Sequence, residues 1–393
     1  MTKKKLLAKL LILAMTATVP AAVQPSTAQA FSIIGAVVGA AQGSIAANQA
    51  KAELKAINDD NEKRNQYFEM MKQQAGVNYD YVMNTRLDSI MYNLSNAIAA
   101  VDPSIKDKPY NYFINVDENF NAYCSIGHNM SVNTGAMKLL TNDDELAVVI
   151  GHEMGHGQKD HVLKGFEGRT TALVVGGAIS GGGGSVLSNI VANISAAQIA
   201  ASYGKKQEAE ADKLSFEYLT HTNYNLGACP AVWQRVIDNY GENEQAFANS
   251  IINPSDHDDN KRRRDAYNEQ LFEYSNKHVK VENGVVKVNK KDFLTAAPTA
   301  SMSSAERSYF VAGNLARIYH DNLAGGEVTV DGNTVRLSGK AVITSVDGDQ
   351  PAQDIADTLK ASEHTPTCRS GGFLIQREPP FVETEGLTLS PQA

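Results

Sequence analysis

The sequence predicts an α+β protein that is mainly helical and carries only a small sheet. Apolar residues recur at helical spacing in several long stretches, as with Leu87, Ile90, Met91 and Leu94 along residues 79–100. Two short runs with strand character, Tyr110–Val116 and Met130–Thr134, interrupt that pattern. Two further alternating runs flank Asp331-Gly332-Asn333, a hairpin signal, within 326–346.

Taken in order, the chain opens with Lys3, Lys4 and Lys5, a largely apolar stretch from Leu6 to Val23, and Ala28-Gln29-Ala30. A basic start, an apolar middle and an A-x-A site predict a secretory signal peptide over residues 1–30. Thr16, Thr18 and Pro20 interrupt the apolar stretch, which argues against a retained anchor. No cysteine adjoins the site, so the lipoprotein signal is absent, and the expected compartment is the periplasm of a bacterial envelope. Cleavage removes Lys3, Lys4, Lys5 and Lys9 and no acid, which takes the formal net charge from −8 to −12. So acidic a chain has no basic footprint for nucleic acid. Cys124, Cys229 and Cys368 allow at most one internal disulfide.

Gly35, Gly39 and Gly43 repeat at four residues within an apolar segment, 31–47, leaving one helix face as bare backbone. The segment is short of a membrane span, so packing on the body of the protein is the expectation and membrane association the alternative. Residues 48–75 read as a charged amphipathic helix and 79–100 as a second, ended by Pro103. Helices are also expected over 207–220, 228–240, 303–321 and 351–361.

The run from Leu146 to Gly157 contains His152-Glu153-Met154-Gly155-His156, an H-E-x-x-H pattern. Asn142 is placed to cap the helix, Glu145 to complete a capping box, and Asp143 and Asp144 to favour its positive end. Positions four apart lie about 40° from each other round a helix, so both imidazoles reach one ion, while Glu153 is offset by roughly 100°. That is the arrangement of a zinc hydrolase: two histidine ligands, an open position, and a carboxylate to hold and deprotonate water. The apolar residues Leu146 to Ile150 sink the helix into a core, where imidazoles and a carboxylate are costly unless a metal or hydrogen bonds satisfy them.

A catalytic zinc needs a third protein ligand. Extending the pattern to H-E-x-x-H-x-x-G-x-x-H fails, because Lys159 and Val162 stand at the required positions and His161 is out of register. Downstream, Glu208 and Asp212 are four apart on one helix face, and Glu210 points about 160° away, where it is expected to matter little. One carboxylate on the shared face completes the site, and the other orients a ligand imidazole.

Together, H-E-x-x-H and E-x-x-x-D resemble peptidase family M48, gluzincins that include HtpX-like, CAAX prenyl and BepA-like proteases. The resemblance runs from about Tyr81 to Arg263 and takes in Asn121-Ala122, Gly127, Met130 to Gly135, and Asp144-Glu145-Leu146-Ala147. It implies a gluzincin-type metallopeptidase domain with one Zn2+ per chain on His152, His156 and Glu208, Glu153 as general base, and Asp212 supporting a ligand histidine. It also implies a catalytic role for His257, in Ser255-Asp256-His257-Asp258 with Arg263 six residues beyond. Finally, it implies that Met130, Ser131, Val132 and Asn133 form an exposed edge strand that holds an extended peptide by strand addition.

Residues 170–204 carry no charge and include four consecutive glycines, Gly181 to Gly184. These argue against a bilayer span and for a lid or hairpin over the cleft, with membrane contact as the alternative. The expected domains are the signal peptide, the glycine-repeat segment 31–47, a metallopeptidase domain over 48–283, and a small α+β accessory domain over 284–393. The expected function is a periplasmic zinc endopeptidase acting on protein or peptide substrates, misfolded envelope proteins among them. The alternative is an envelope chaperone or assembly factor that keeps its zinc without cleaving.

Overall fold

The computed structural model describes residues 40–165, 204–240 and 257–363. The predicted signal peptide, the expected lid apart from Gly204, and Cys368 lie outside them. Helix α1 (Ala40–Asp59) and helix α2 (Asn61–Ala75) replace the single helix expected over 48–75. Between them Asp60 turns to extended backbone, and its carboxylate accepts a hydrogen bond of 2.9 Å from the Lys63 amide, restarting the helix. Helix α1 also runs unbroken through position 47, so the glycine-repeat segment has no boundary there. Helix α3 (Tyr81–Val101) buries Leu87, Ile90, Met91 and Leu94 as its spacing predicts, and Asp102 leads into a 3-10 turn, Pro103–Lys106.

Three strands follow: β1 (Asn111–Asn115), β2 (Ala122–Ser125) and β3 (Asn129–Asn133), in the order β1-β3-β2. Strand β3 is parallel to β1 and antiparallel to β2, and all five of its residues are buried. After the short α4 (Thr134–Leu139) come α5 (Asp143–Gln158), α6 (Lys205–Thr220), α7 (Ala228–Tyr240) and α8 (His257–Tyr274).

Residues 279–363 hold two copies of one unit. Strands β4 (Val279–Glu282), β5 (Val285–Val288) and β6 (Lys291–Leu294) form an antiparallel meander followed by α9 (Ser304–His320). Strands β7 (Val328–Asp331), β8 (Thr334–Leu337) and β9 (Lys340–Thr344) form a second, followed by α10 (Ala352–Glu363). Val279, Val281, Val286 and Leu294 of the first correspond to Val328, Val330, Val335 and Ile343 of the second. Each meander shifts register at the matching place, Val286/Lys287 and Val335/Arg336. The copies interlock: α9 packs on β4, β5 and β9, and α10 on β6, β7 and β8. The domain boundary expected at 283/284 therefore falls inside the β4–β5 turn, because Asn283-Gly284 is a hairpin signal and not a linker.

One apolar core runs from α3 through the first sheet and α5 into both meanders and α10. A smaller cluster, including Leu54, Ile57, Tyr67 and Phe113, holds α1 and α2 against β1. A tight join is at Gly227, where a Cβ would lie 1.9 Å from the Tyr309 carbonyl oxygen. At Gly313 of α9 a Cβ would lie 1.9 Å from Asn225 Oδ1. Backbone packs on backbone there, with no room for a side chain.

Candidate metal centre

Helix α5 carries the two histidines and is buried along Gly151–Gly157. Asn142 caps it as expected, its Oδ1 accepting from the Asp144 amide at 2.7 Å. The capping box is not formed. Glu145 instead turns inward, fully buried, and accepts from Arg235 Nε of α7 at 3.0 and 3.1 Å. A buried cation is a stronger partner for that carboxylate than a backbone amide at a helix end.

Glycine brings α5 and α6 together. A Cβ on Gly155 would stand 3.3 Å from the Ala211 backbone, and one on Gly151 would stand 3.1 Å from Ser215 Oγ. Ser215 Oγ donates to the Val148 carbonyl at 2.8 Å across the same contact. This close approach places Glu208 over the histidines. His152 Nε2 and His156 Nε2 lie 3.0 Å apart, and the Glu208 oxygens lie 3.4 Å from the first and 3.6 Å from the second. Candidate ligand atoms of these three residues fall within 4.8 Å of one another.

Asp212, one turn beyond Glu208, sits 2.9 Å from His152 Nδ1. It also accepts from Arg263 Nε at 2.8 Å, Arg263 Nη2 at 2.6 Å and the Tyr267 hydroxyl at 3.0 Å. Burial opposes charge on Asp212, but Arg263 and His152 overcome it and hold the carboxyl well below the usual range. Burial and Arg263 disfavour a proton on His152, yet Asp212 and Glu208 hold it up to about 9. The Arg263 guanidinium stacks on Trp233, 3.7 Å from the ring centroid. Trp233 and Tyr267 carry no sequence signal beyond being the single tryptophan and lying four residues after Arg263.

Glu153 is buried beside the ligand set. Its Oε2 accepts from the Cys124 amide of β2 at 3.0 Å. Burial pushes its carboxyl up to about 7 against the pull of His152.

Other expected site residues fall elsewhere. Met130, Ser131, Val132 and Asn133 do not form an edge strand, since β3 is central and paired on both sides. The strand beside α5 is β2, which has no strand partner on its other side among the described residues. Its alternation with Tyr123 and Cys124 is too short to read as a strand from sequence. His257 opens α8, but its side chain lies outside the described residues. Cys124 and Cys229 are buried and form no disulfide with each other. Glu210 lies off the ligand face as predicted, yet it is not idle. His161 Nε2 approaches its Oε2 at 3.2 Å, and His161 Nδ1 lies 3.0 Å from His156 Nδ1.

The donor set suits zinc: two imidazole nitrogens and a carboxylate converge in a buried site, and each imidazole has its other nitrogen engaged. The model of peptidase family M48 matches residues 84–295, more than half of the chain. Metalloprotease LoiP of Escherichia coli is 33% identical over 129 residues, covering 32% of this chain and 51% of that protein. Metalloprotease YcaL of the same organism is 31% identical over 129 residues, covering 32% and 50%. A putative beta-barrel assembly-enhancing protease of Vibrio cholerae is 25% identical over 185 residues, covering 44% and 37%. The aligned part thus spans about half the length of these relatives or less. Among the described residues no helix is long and apolar enough to cross a membrane.

Proposed function

This chain belongs to peptidase family M48, and from that premise we propose that it is a zinc-dependent endopeptidase, exported through a cleaved signal peptide to the periplasm. The observation that carries this reading is the convergence of His152, His156 and Glu208 beside a buried Glu153. The substrate class we propose is proteins of the envelope, misfolded ones included; the relatives named as beta-barrel assembly-enhancing proteases support a link to beta-barrel assembly.

His152, His156 and Glu208 would hold the ion. Zinc bound there supplies Lewis acidity to a scissile carbonyl and lowers the pKa of water. Glu153, oriented by the Cys124 amide, takes the proton of the attacking water and returns it to the leaving amine. Asp212 accepts from His152 Nδ1 and so keeps Nε2 facing the site, while Arg263 and Tyr267 keep Asp212 ionised and fixed. The outward backbone groups of β2 are the edge on which an extended peptide lies, in place of β3.

The test uses the purified mature protein. Metal analysis is expected to give one zinc per chain, and casein cleavage to stop on chelation and return with added zinc. A protein that binds zinc fully and cleaves neither casein nor unfolded polypeptides would overturn the reading.

A further inference from the structure

We infer that His161 and Glu210 form a positioning relay that sets the tautomer of His156; this deepens the zinc-site reading and rests on it. Neither residue occupies a fixed position of H-E-x-x-H or E-x-x-x-D, so the motifs give them no part. The structure nevertheless lines up His156, His161 and Glu210 in one chain of contacts, 3.0 Å between the two Nδ1 atoms and 3.2 Å from His161 Nε2 to Glu210 Oε2. His161 is buried, whereas the Glu210 side chain is half exposed.

The direction of the hydrogen bonds follows from what each atom is able to do. An ionised carboxylate only accepts, so His161 Nε2 carries the hydrogen that faces Glu210. A neutral His161 with its proton on Nε2 has a lone pair on Nδ1. His156 Nδ1 must then be the donor in the contact between the rings, which leaves His156 Nε2 as a bare lone pair. That nitrogen is the one facing His152 Nε2 and Glu208. His161 is no ligand itself, since its two nitrogens are directed at His156 Nδ1 and Glu210, on the far side of His156 from the converging donors.

The site is thus buttressed twice. Asp212 locks His152 directly, and Glu210 locks His156 through an intervening imidazole. Partners of this kind, holding the second nitrogen of a ligand histidine, carry about 10- to 100-fold in metal affinity. Glu210 is on α6 with Glu208 and Asp212, so one helix supplies a ligand and both locks.

The test is zinc affinity of metal-stripped protein, measured by chelator competition, with 15N NMR of the His156 ring as a readout independent of metal. His161→Phe keeps the ring volume and removes the acceptor; affinity is expected to fall about 10- to 100-fold. His161→Asn places an amide oxygen where Nδ1 was and is expected to hold affinity near wild type. Glu210→Ala, at a half-exposed position that does not threaten folding, is expected to cost roughly tenfold in the wild-type background. In the His161→Asn background it is expected to cost nothing, because the acceptor no longer depends on it. In wild type the NMR spectrum is expected to show His156 protonated on Nδ1, and in Glu210→Ala a mixture of tautomers. Unchanged affinity and tautomer in Glu210→Ala, or an equal loss in both backgrounds, would overturn the relay. Wild-type protein that binds no zinc would instead overturn the metal site itself.

Discussion

The amide of Cys124 donates a 3.0 Å hydrogen bond to Oε2 of Glu153, tying this carboxylate of α5 to the neighbouring strand β2. One oxygen is thereby held while the other remains for water. Replacing the carboxylate by an amide keeps this bond and the packing but removes the base. Glu153→Gln is expected to retain zinc and the wild-type melting temperature while losing about 10² to 10⁴ in cleavage rate. Metal content, thermal unfolding and casein hydrolysis on one preparation check this, and a variant that still cleaves at the wild-type rate would remove Glu153 from the mechanism.

A second expectation concerns the buried cation behind α5. Arg235 pairs with Glu145 of α5 and lies 3.1 Å from Glu306 of α9, and its Nη2 donates to the Ser301 carbonyl at 3.0 Å. Both carboxylates are buried. Arg235→Met leaves them facing each other without a counter-charge and is expected to cost about 3–5 kcal/mol. Urea unfolding measures the loss, and adding Glu145→Gln and Glu306→Gln to the same chain is expected to recover part of it.

Stability should also fall with acid for a nameable reason. His128 is 3% exposed, stacked on Tyr110, and its Nδ1 donates to the Lys108 carbonyl at 2.6 Å. Burial, aided by the Lys108 charge and opposed by Asp160, pushes its imidazole down to about 4. Because the folded pKa lies below the unfolded value, the unfolded chain binds the extra proton between them. The contribution is complete above about pH 6.5 and is lost as pH falls toward 4, about 3 kcal/mol in all. His128 has φ 57°, a conformation asparagine tolerates. His128→Asn is therefore expected to flatten this part of the curve of unfolding free energy against pH; an unchanged slope between pH 6.5 and 4 would refute the assignment.

Gly157 offers a fourth check. Alanine there would gain about 1 kcal/mol of helix propensity, but its Cβ would lie 2.5 Å from the Tyr110 hydroxyl and 3.0 Å from Cys124 Sγ. That hydroxyl donates to the Met154 carbonyl at 2.6 Å, inside α5. Overpacking is expected to win, with a net loss of about 1–3 kcal/mol in Gly157→Ala. Thermal unfolding of the variant decides the sign.

The features that sequence disclosed are those written in local spacing. H-E-x-x-H and E-x-x-x-D declare which side chains share a helix face, and helical periodicity marked Leu87, Ile90, Met91 and Leu94. What it hid depends on partners distant in the chain. Glu145 looked like a cap because its buried partner lies on another helix, at Arg235. The edge that resemblance assigns to β3 belongs to β2, which is four residues long and gives almost no period to read. His161 is out of ligand register, and only the fold shows it meeting Glu210. The duplication escaped because its copies share valine positions and turn types, with few identities between them.

The seat of α9 on Gly227 bears on the order in which the molecule is finished. A chain made from its N-terminus has every proposed ligand once Glu208 has been synthesised, yet Glu306 and the Tyr309 backbone are still to come. Until they arrive, Arg235 lacks one of its two carboxylates and the surface at Gly227 is bare. The packing around Arg235 and Gly227 is therefore the part of this core completed last, after every proposed ligand is already in the chain.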